Sequence, residues 1–316
     1  MIIKPFEKRD ADIAELTRLS KLPQVSAKTK ADIEKEIRFI RAGDTAEAET
    51  AYELDFYIAD SKNWAVLHGV RLEIDSTVAQ IDHLVINRFL DIYVIESKSF
   101  SGGVSINDAG EFCTFYNNRP IPMSSPIEQN ERHITVLRRS YKAGHFHEMK
   151  RLGVRIPLNY RSVISVGKNA RITRPDAPVK GLDRLIKADQ IRTLMDDDID
   201  KDSYVGTLAS AARIVSAETV QLLAKSMAER HSPIEFDWAG KFGIKDAAPK
   251  VATPLKTKTP EKAAAKPKTG PNVCAVCDEP LHWTVVKWCR RNSKKYEGML
   301  LCKDHQKNVV LEGAKT

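Results

Sequence analysis

Asp82 lies inside an apolar run, VAQIDHLVI, and Glu96 and Lys98 close another, IYVIESK. An unpaired carboxylate inside such a run is costly to bury, so Asp82 needs a reason to be there. Side chains alternate along a strand, which puts Ile92, Val94, Glu96 and Lys98 on one face and Tyr93, Ile95 and Ser97 on the other. A carboxylate and an ammonium therefore project together from a strand whose start is apolar. Pairing of the two runs would bring Asp82 beside Glu96. Two carboxylates suit Mg²⁺ or Mn²⁺, hard cations that take one or two such ligands along with water and a substrate phosphate. A bound metal acidifies water and neutralises charge on phosphate, and a lysine beside it can orient the water or steady an oxyanion. The chemistry this trio suits is phosphodiester hydrolysis. Gln80 shares the Asp82 face as a weaker candidate, whereas His83 points to the opposite face and reads, with His68, as a core or surface histidine.

A second set lies near the C-terminus. Cys274 and Cys277 form a C-x₂-C knuckle, and Cys302 and His305 form a C-x₂-H knuckle. Two such turns complete a tetrahedral Zn²⁺ shell, and a closed shell of four is structural. About 45 residues have too little apolar surface to fold without a staple of this kind. Cys289 is a fifth candidate, expected instead to be a core thiol beside Trp288. Between the knuckles, Arg290, Arg291, Lys294 and Lys295 stand among Trp288 and Tyr296. Cations interleaved with aromatics suit a nucleic-acid surface.

The elements that must position these residues are legible in outline. Residues 27–58 read as helix, interrupted at Gly43-Asp44-Thr45, which offers a cap for a second half. WAVLHGVRLEI, VAQIDHLVIN and LDIYVIESKSF read as three strands. SGGVSI and EFCTFY form a hairpin, and Pro126 opens a helix. NYRSVISVG is a buried strand, and LDRLIKADQIRTLMDD and SAETVQLLAKSMAERH are helices. The sum is α/β: a central mixed sheet flanked by helices, plus a small zinc-stapled C-terminal module.

The 316 residues carry a formal charge of +8, and it is unevenly placed. Residues 250–316 hold 14 Lys/Arg against 6 Asp/Glu, so the larger N-terminal part is formally neutral. A cationic tail attracts polyanions, nucleic acid first. From about 245 to 271 the composition turns to Lys, Pro, Ala and Thr without an aromatic, the pattern of a disordered basic linker. No apolar run is long enough for a membrane span, and MIIKPFEKRDADIAELTRLS lacks a signal peptide's apolar core. A cytoplasmic protein with no membrane partner is expected.

Asp82 followed by Glu96-Ser97-Lys98 resembles the D…(D/E)xK signature of the PD-(D/E)xK nuclease superfamily. The wider series AEAETAYELDFYI, AVLHGVRL, AQIDHLVI, IYVIESKSFSGGVSI and PIEQN is similar to the nuclease-related domain, NERD, over roughly residues 45–140. The resemblance implies a restriction-endonuclease-like fold and a metal-dependent nuclease acting on DNA. It further implies a glutamate from the preceding helix, aligned with Glu49 and with Glu47 and Glu53 close by, and a glutamine from the helix beyond the sheet, Gln129. The expected organisation is a helical segment at 1–44, a NERD-like domain at 45–244, the basic linker at 245–271 and a zinc-ribbon-like module at 272–316. Linker and module would bind the nucleic acid. The alternative is a non-catalytic scaffold that binds nucleic acid or protein.

Overall fold

The computed structural model describes residues 1–74, 76–205 and 214–245, together with 272–277, 279, 281, 283–293, 296, 298–302 and 305–306. Contacts divide the chain into two units, Met1–Ala248 and Pro249–Thr316. The first unit begins with β1 (Ile2–Lys4), α1 (Asp10–Ser20) and α2 (Ala27–Ile58), followed by β2 (Trp64–Ile74), β3 (Thr77–Asn87) and β4 (Asp91–Lys98). Then come β5 (Val104–Ile106), β6 (Phe112–Tyr116), β7 (Arg119–Met123), α3 (Pro126–Lys142), β8 (Lys150–Arg151) and β9 (Val154–Arg155). The unit closes with β10 (Asn159–Val166), β11 (Ile172–Thr173), β12 (Leu185–Lys187), α4 (Ile191–Val205), α5 (Ala217–Ala228) and α6 (Trp238–Lys241).

The main sheet has strand order β1-β2-β3-β4-β10-β12. Its β2–β3 and β3–β4 pairs are antiparallel, and β4, β10 and β12 run parallel, so the sheet is mixed as expected. Strand alternation gives it two apolar faces. On one, Leu84, Ile86, Ile92 and Val94 pack against Ile134 and Leu137 of α3 and Val220 and Leu223 of α5. On the other, Val66, Val85, Tyr93 and Ile95 meet Leu54 and Ile58 of α2 and Ile191 and Met195 of α4. A smaller sheet, β11-β5-β6-β7, follows β4. Its entry is tight: a Cβ on Gly102 would stand 2.2 Å from the Phe115 carbonyl oxygen, and Gly103 has φ of +92°.

Three expectations are corrected. Helix α2 runs unbroken for 32 residues through Gly43-Asp44-Thr45. A single helical glycine costs only about 1 kcal/mol, while buried residues secure both sides of it, Ile37 and Ile40 before and Thr50 and Leu54 after. Asp44 caps nothing in its own helix; its buried carboxylate accepts the Arg9 backbone N–H at 3.1 Å, at the start of α1. Residues 182–190 are not helical as expected but form two 3₁₀ turns around β12, which pairs with β10. The short β1, not foreseen, extends the sheet beyond β2. The linker expected at 245–271 lies, from residue 246 onward, outside the described residues.

The second unit contains α7 (Trp283–Arg291) and a small core of Cys274, Cys289, Tyr296 and Leu301. Among the described residues no helix is long and apolar enough to cross a membrane.

Candidate nuclease and metal sites

The β3–β4 ladder pairs Ile86 with Ile92 through to His83 with Ile95, and Asp82 and Glu96 occupy the next position along. There the regular pairing stops, and the Ser97 backbone N–H is accepted by the Asp82 carboxylate at 2.7 Å. Glu96 is only 3% exposed. Its Oε1 accepts from Lys98 Nζ at 2.6 Å and from Gln129 Nε2 at 2.8 Å. Its Oε2 is buried without a hydrogen-bond partner. Burial first, then the charges of Glu96 and Glu47, push the Asp82 carboxyl well above the ordinary carboxylate range, against the pull of the Ser97 N–H and Lys98. Crowded carboxylates and an orphaned buried oxygen are what a divalent cation relieves, so these residues fit one.

Helix α3 delivers Gln129 because its start is fixed twice. Pro126 sits in the first turn and the Ser125 side chain caps the Glu128 N–H. Asn130, fully buried, donates to the Val94 carbonyl at 2.7 Å, so the first turn is tied to β4 beside Glu96. One turn on, His133 brings Nδ1 to 3.8 Å from Glu96 Oε2. Sequence reasoning missed His133, though its spacing of four from Gln129 places both on one helix face.

From α2, Glu47 is the carboxylate that enters this electrostatic cluster. Burial, then repulsion from Asp44 and Glu96, raise it to about 7, while Arg9 and Lys98 act the other way. Glu49, the residue the family resemblance indicated, meets the chain just beyond β10: its Oε1 accepts the Lys168 N–H at 3.1 Å, two residues past Val166, the register partner of Lys98. The buried stripe of α2 explains the difference. Glu47 falls within the stripe of Ala46, Thr50, Ala51 and Leu54, and Glu49 falls at its margin. Gln80 is exposed.

Behind the carboxylates, on the α2 face, lies a polar chain. His68 and His83 are register partners in β2 and β3, both fully buried. Their Nδ1 atoms are 2.6 Å apart. His68 Nε2 meets Asp55 Oδ1 of α2 at 3.0 Å, and His83 Nε2 meets Ser97 Oγ at 2.9 Å. His83 thus faces away from Asp82, as alternation required, but as part of a network.

In the second unit, Cys274, Cys277, Cys302 and His305 place their ligand atoms within 4.8 Å of one another. Among the described residues this is the one group of three or more His, Cys, Asp or Glu so placed. The Cys277 and Cys302 sulfurs are 3.9 Å apart, and Cys302 Sγ is 3.0 Å from His305 Nδ1. Bonds of 2.3 Å at tetrahedral angles would separate two zinc-bound sulfurs by about 3.8 Å. The set could bind zinc. Burial opposes ionisation of Cys274, but the N–H groups of Cys302, Val276 and Cys277 aimed at its sulfur bring the thiol down to about 6. Cys289 stands apart, exchanging hydrogen bonds with the Leu301 backbone in the core. Lys287, Arg290 and Arg291 line one hollow of about 440 Å³ with Asn272 and Val286. Lys294 and Lys295 lie outside the described residues.

No curated protein and no solved structure matches the chain. One family model does, and it spans the Asp82, Glu96, Lys98 and Gln129 region together with the second half of α2 and most of β10. Residues 42–165 of this chain match the model of the nuclease-related domain.

Proposed function

We propose that the protein is a metal-dependent nuclease that hydrolyses phosphodiester bonds in DNA, with the basic tail and the C-terminal module holding the nucleic acid. The observation that carries this reading is the contact of Lys98 with Glu96 one step beyond the end of the β3–β4 ladder, where Asp82 also sits. Asp82 and Glu96 would hold Mg²⁺ or Mn²⁺, with Glu47 from α2 supporting them in the place expected of Glu49. When bound, the ion supplies charge neutralisation at the phosphate and acidifies a water.

The chain's own groups do the rest. Lys98 and Gln129 both hold Glu96 through Oε1, which leaves the buried Oε2 without a hydrogen bond, 3.8 Å from His133 Nδ1. The Ser97 N–H fixes one oxygen of Asp82. Lys98, about one quarter exposed, can orient the attacking water and offer positive charge to a phosphate oxygen. In the C-terminal module, Cys274, Cys277, Cys302 and His305 would bind Zn²⁺ as a structural staple. The Lys287, Arg290 and Arg291 hollow suits a phosphate backbone. The five cysteines, none of them in a disulfide, fit a reducing compartment, and a cytoplasmic location belongs to this reading.

The test is cleavage of mixed DNA and RNA substrates with Mg²⁺ or Mn²⁺ by the full chain and by Lys98→Ala. Loss of about 10²-fold or more in rate is expected for the variant, on the scale of a lost charge-stabilising group. Equal rates in both proteins would overturn the assignment. So would a wild-type protein inactive on every substrate, an outcome that favours the binding scaffold.

A further inference from the structure

The four side chains Asp55, His68, His83 and Ser97 take no part in the chemistry above, yet they form an unbroken line of hydrogen bonds to the edge of the acidic site. The line begins at Asp55, whose side chain is 32% exposed, and runs through two imidazoles with no exposure at all. Its links are 3.0, 2.6 and 2.9 Å. It ends on Ser97, the residue between Glu96 and Lys98.

The chemistry of the links fixes where each proton sits. The two Nδ1 atoms lie 2.6 Å apart between rings with no exposure, so one must donate and the other accept. The Asp55 carboxylate only accepts, so His68 carries its proton on Nε2 and presents a bare Nδ1. His83 must then donate from Nδ1, and its bare Nε2 accepts the Ser97 hydroxyl. One carboxylate on α2 thereby sets both tautomers and the rotor of a serine three links away. Ser97 is held by its side chain on one face of β4, while its backbone N–H is the donor that fixes Asp82.

We infer that Asp55, His68, His83 and Ser97 are positioning residues whose hydrogen-bonded chain sets the direction of the Asp82 carboxylate for a divalent cation. This rests on the metal-site reading above. It deepens that reading by assigning a role to residues on the far face of the sheet. Sheet pairing alone does not supply the constraint, because the ladder between β3 and β4 stops at His83 and Ile95, one residue short of Asp82.

The experiment measures Mn²⁺ binding to the full chain by calorimetry, for wild type, Ser97→Ala, Ser97→Thr and Asp55→Ala, with melting temperature recorded for each. Ser97→Ala keeps the backbone N–H and removes only the last link. We expect it and Asp55→Ala to bind Mn²⁺ about 10-fold more weakly, as outer partners of metal ligands do, and Ser97→Thr to recover the affinity. Imidazole ¹⁵N shifts should report His68 protonated on Nε2 and His83 on Nδ1. Wild-type affinity in both alanine variants, or both rings protonated on Nε2, would overturn the inference. The nuclease reading would survive either result, since it depends on Lys98. A wild-type protein that binds no Mn²⁺ would overturn both. Weakened binding in both alanine variants, beside a wild type that binds Mn²⁺ but cleaves no nucleic acid, would support the positioning chain and remove only the nuclease.

Discussion

Glu47 and Glu49 are two residues apart, and the fold treats them differently. Two helical steps turn a side chain by about 200°, so only one of the pair can follow the buried stripe of α2 toward the sheet. Substitution separates them. Glu47→Gln should weaken Mn²⁺ binding several-fold by calorimetry, and Glu49→Gln should leave it unchanged; the reverse order would return the helix glutamate to the position the family resemblance suggested. Spacing alone did not settle the stripe, since Ala48, Tyr52 and Phe56 also recur at helical spacing, yet Tyr52 and Phe56 are exposed while Ala46, Thr50, Ala51 and Leu54 are buried. Asp82, Glu96 and Lys98 were readable, as strand alternation decides their face without reference to anything else. The His68–His83 contact was not, because it depends on the register of β2 on β3, which brings two distant residues opposite each other. A pH experiment probes that contact. In the fold, His68 faces Asp55, His83 and the charge of Lys4, and burial holds its pKa below the ordinary value. The unfolded chain takes up that proton near pH 6.5 and the folded chain does not. The stability is therefore complete above about pH 6.5 and is lost as pH falls below it. The melting temperature of the wild type should decline more steeply from pH 7.5 to 5.5 than that of His68→Gln.

At the level of elements, long alternating runs became β2, β3 and β4 with little ambiguity, and the Pro126 helix began where its proline and Ser125 cap placed it. Residues 182–190 were misread because LDRLIKADQ spaces its apolar residues as a helix does. What overrides that spacing is tertiary: Gly181 takes φ of +79°, and Leu185–Lys187 finds an open parallel edge on β10. Strand β1 has three residues, too few for a periodic signal. The passage from β4 into β5 depends on backbone contact at Gly102. A methyl group there meets the Phe115 carbonyl, so Gly102→Ala should destabilise the protein by about 2–3 kcal/mol, measured by urea unfolding. Unfolding at the wild-type midpoint would mean that the turn relaxes without cost.

For the whole molecule, charge and metal chemistry separate along the chain. The part before residue 250 is formally neutral, and the excess of eight positive charges lies beyond it. Removal of residues 250–316 should therefore weaken DNA binding and flatten its dependence on salt concentration, which reflects the number of phosphates neutralised. An unchanged salt slope in a fluorescence-anisotropy titration would place the nucleic-acid contact on the neutral part instead. On the proposed zinc staple, a zinc-selective chelator should increase hydrogen exchange in peptides containing Cys274, Cys302 and their neighbours, because the four residues would hold together a core of few apolar side chains. Peptides from the main sheet should be unaffected.

The unbroken helix α2 ties these scales together. At 1.5 Å per residue it is a rod of about 48 Å. One end packs on α1 and Trp238 through Ile33, Ile37 and Ile40, while further along it carries Glu47 and then Asp55. Eight residues separate those two carboxylates, about 12 Å along the axis, and a stiff rod cannot slide one without the other. Pressure on the N-terminal helices would act as on a lever arm, shifting the front and the back of the acidic site in concert. A protein cut at residue 45 would keep both carboxylates and lose the fulcrum.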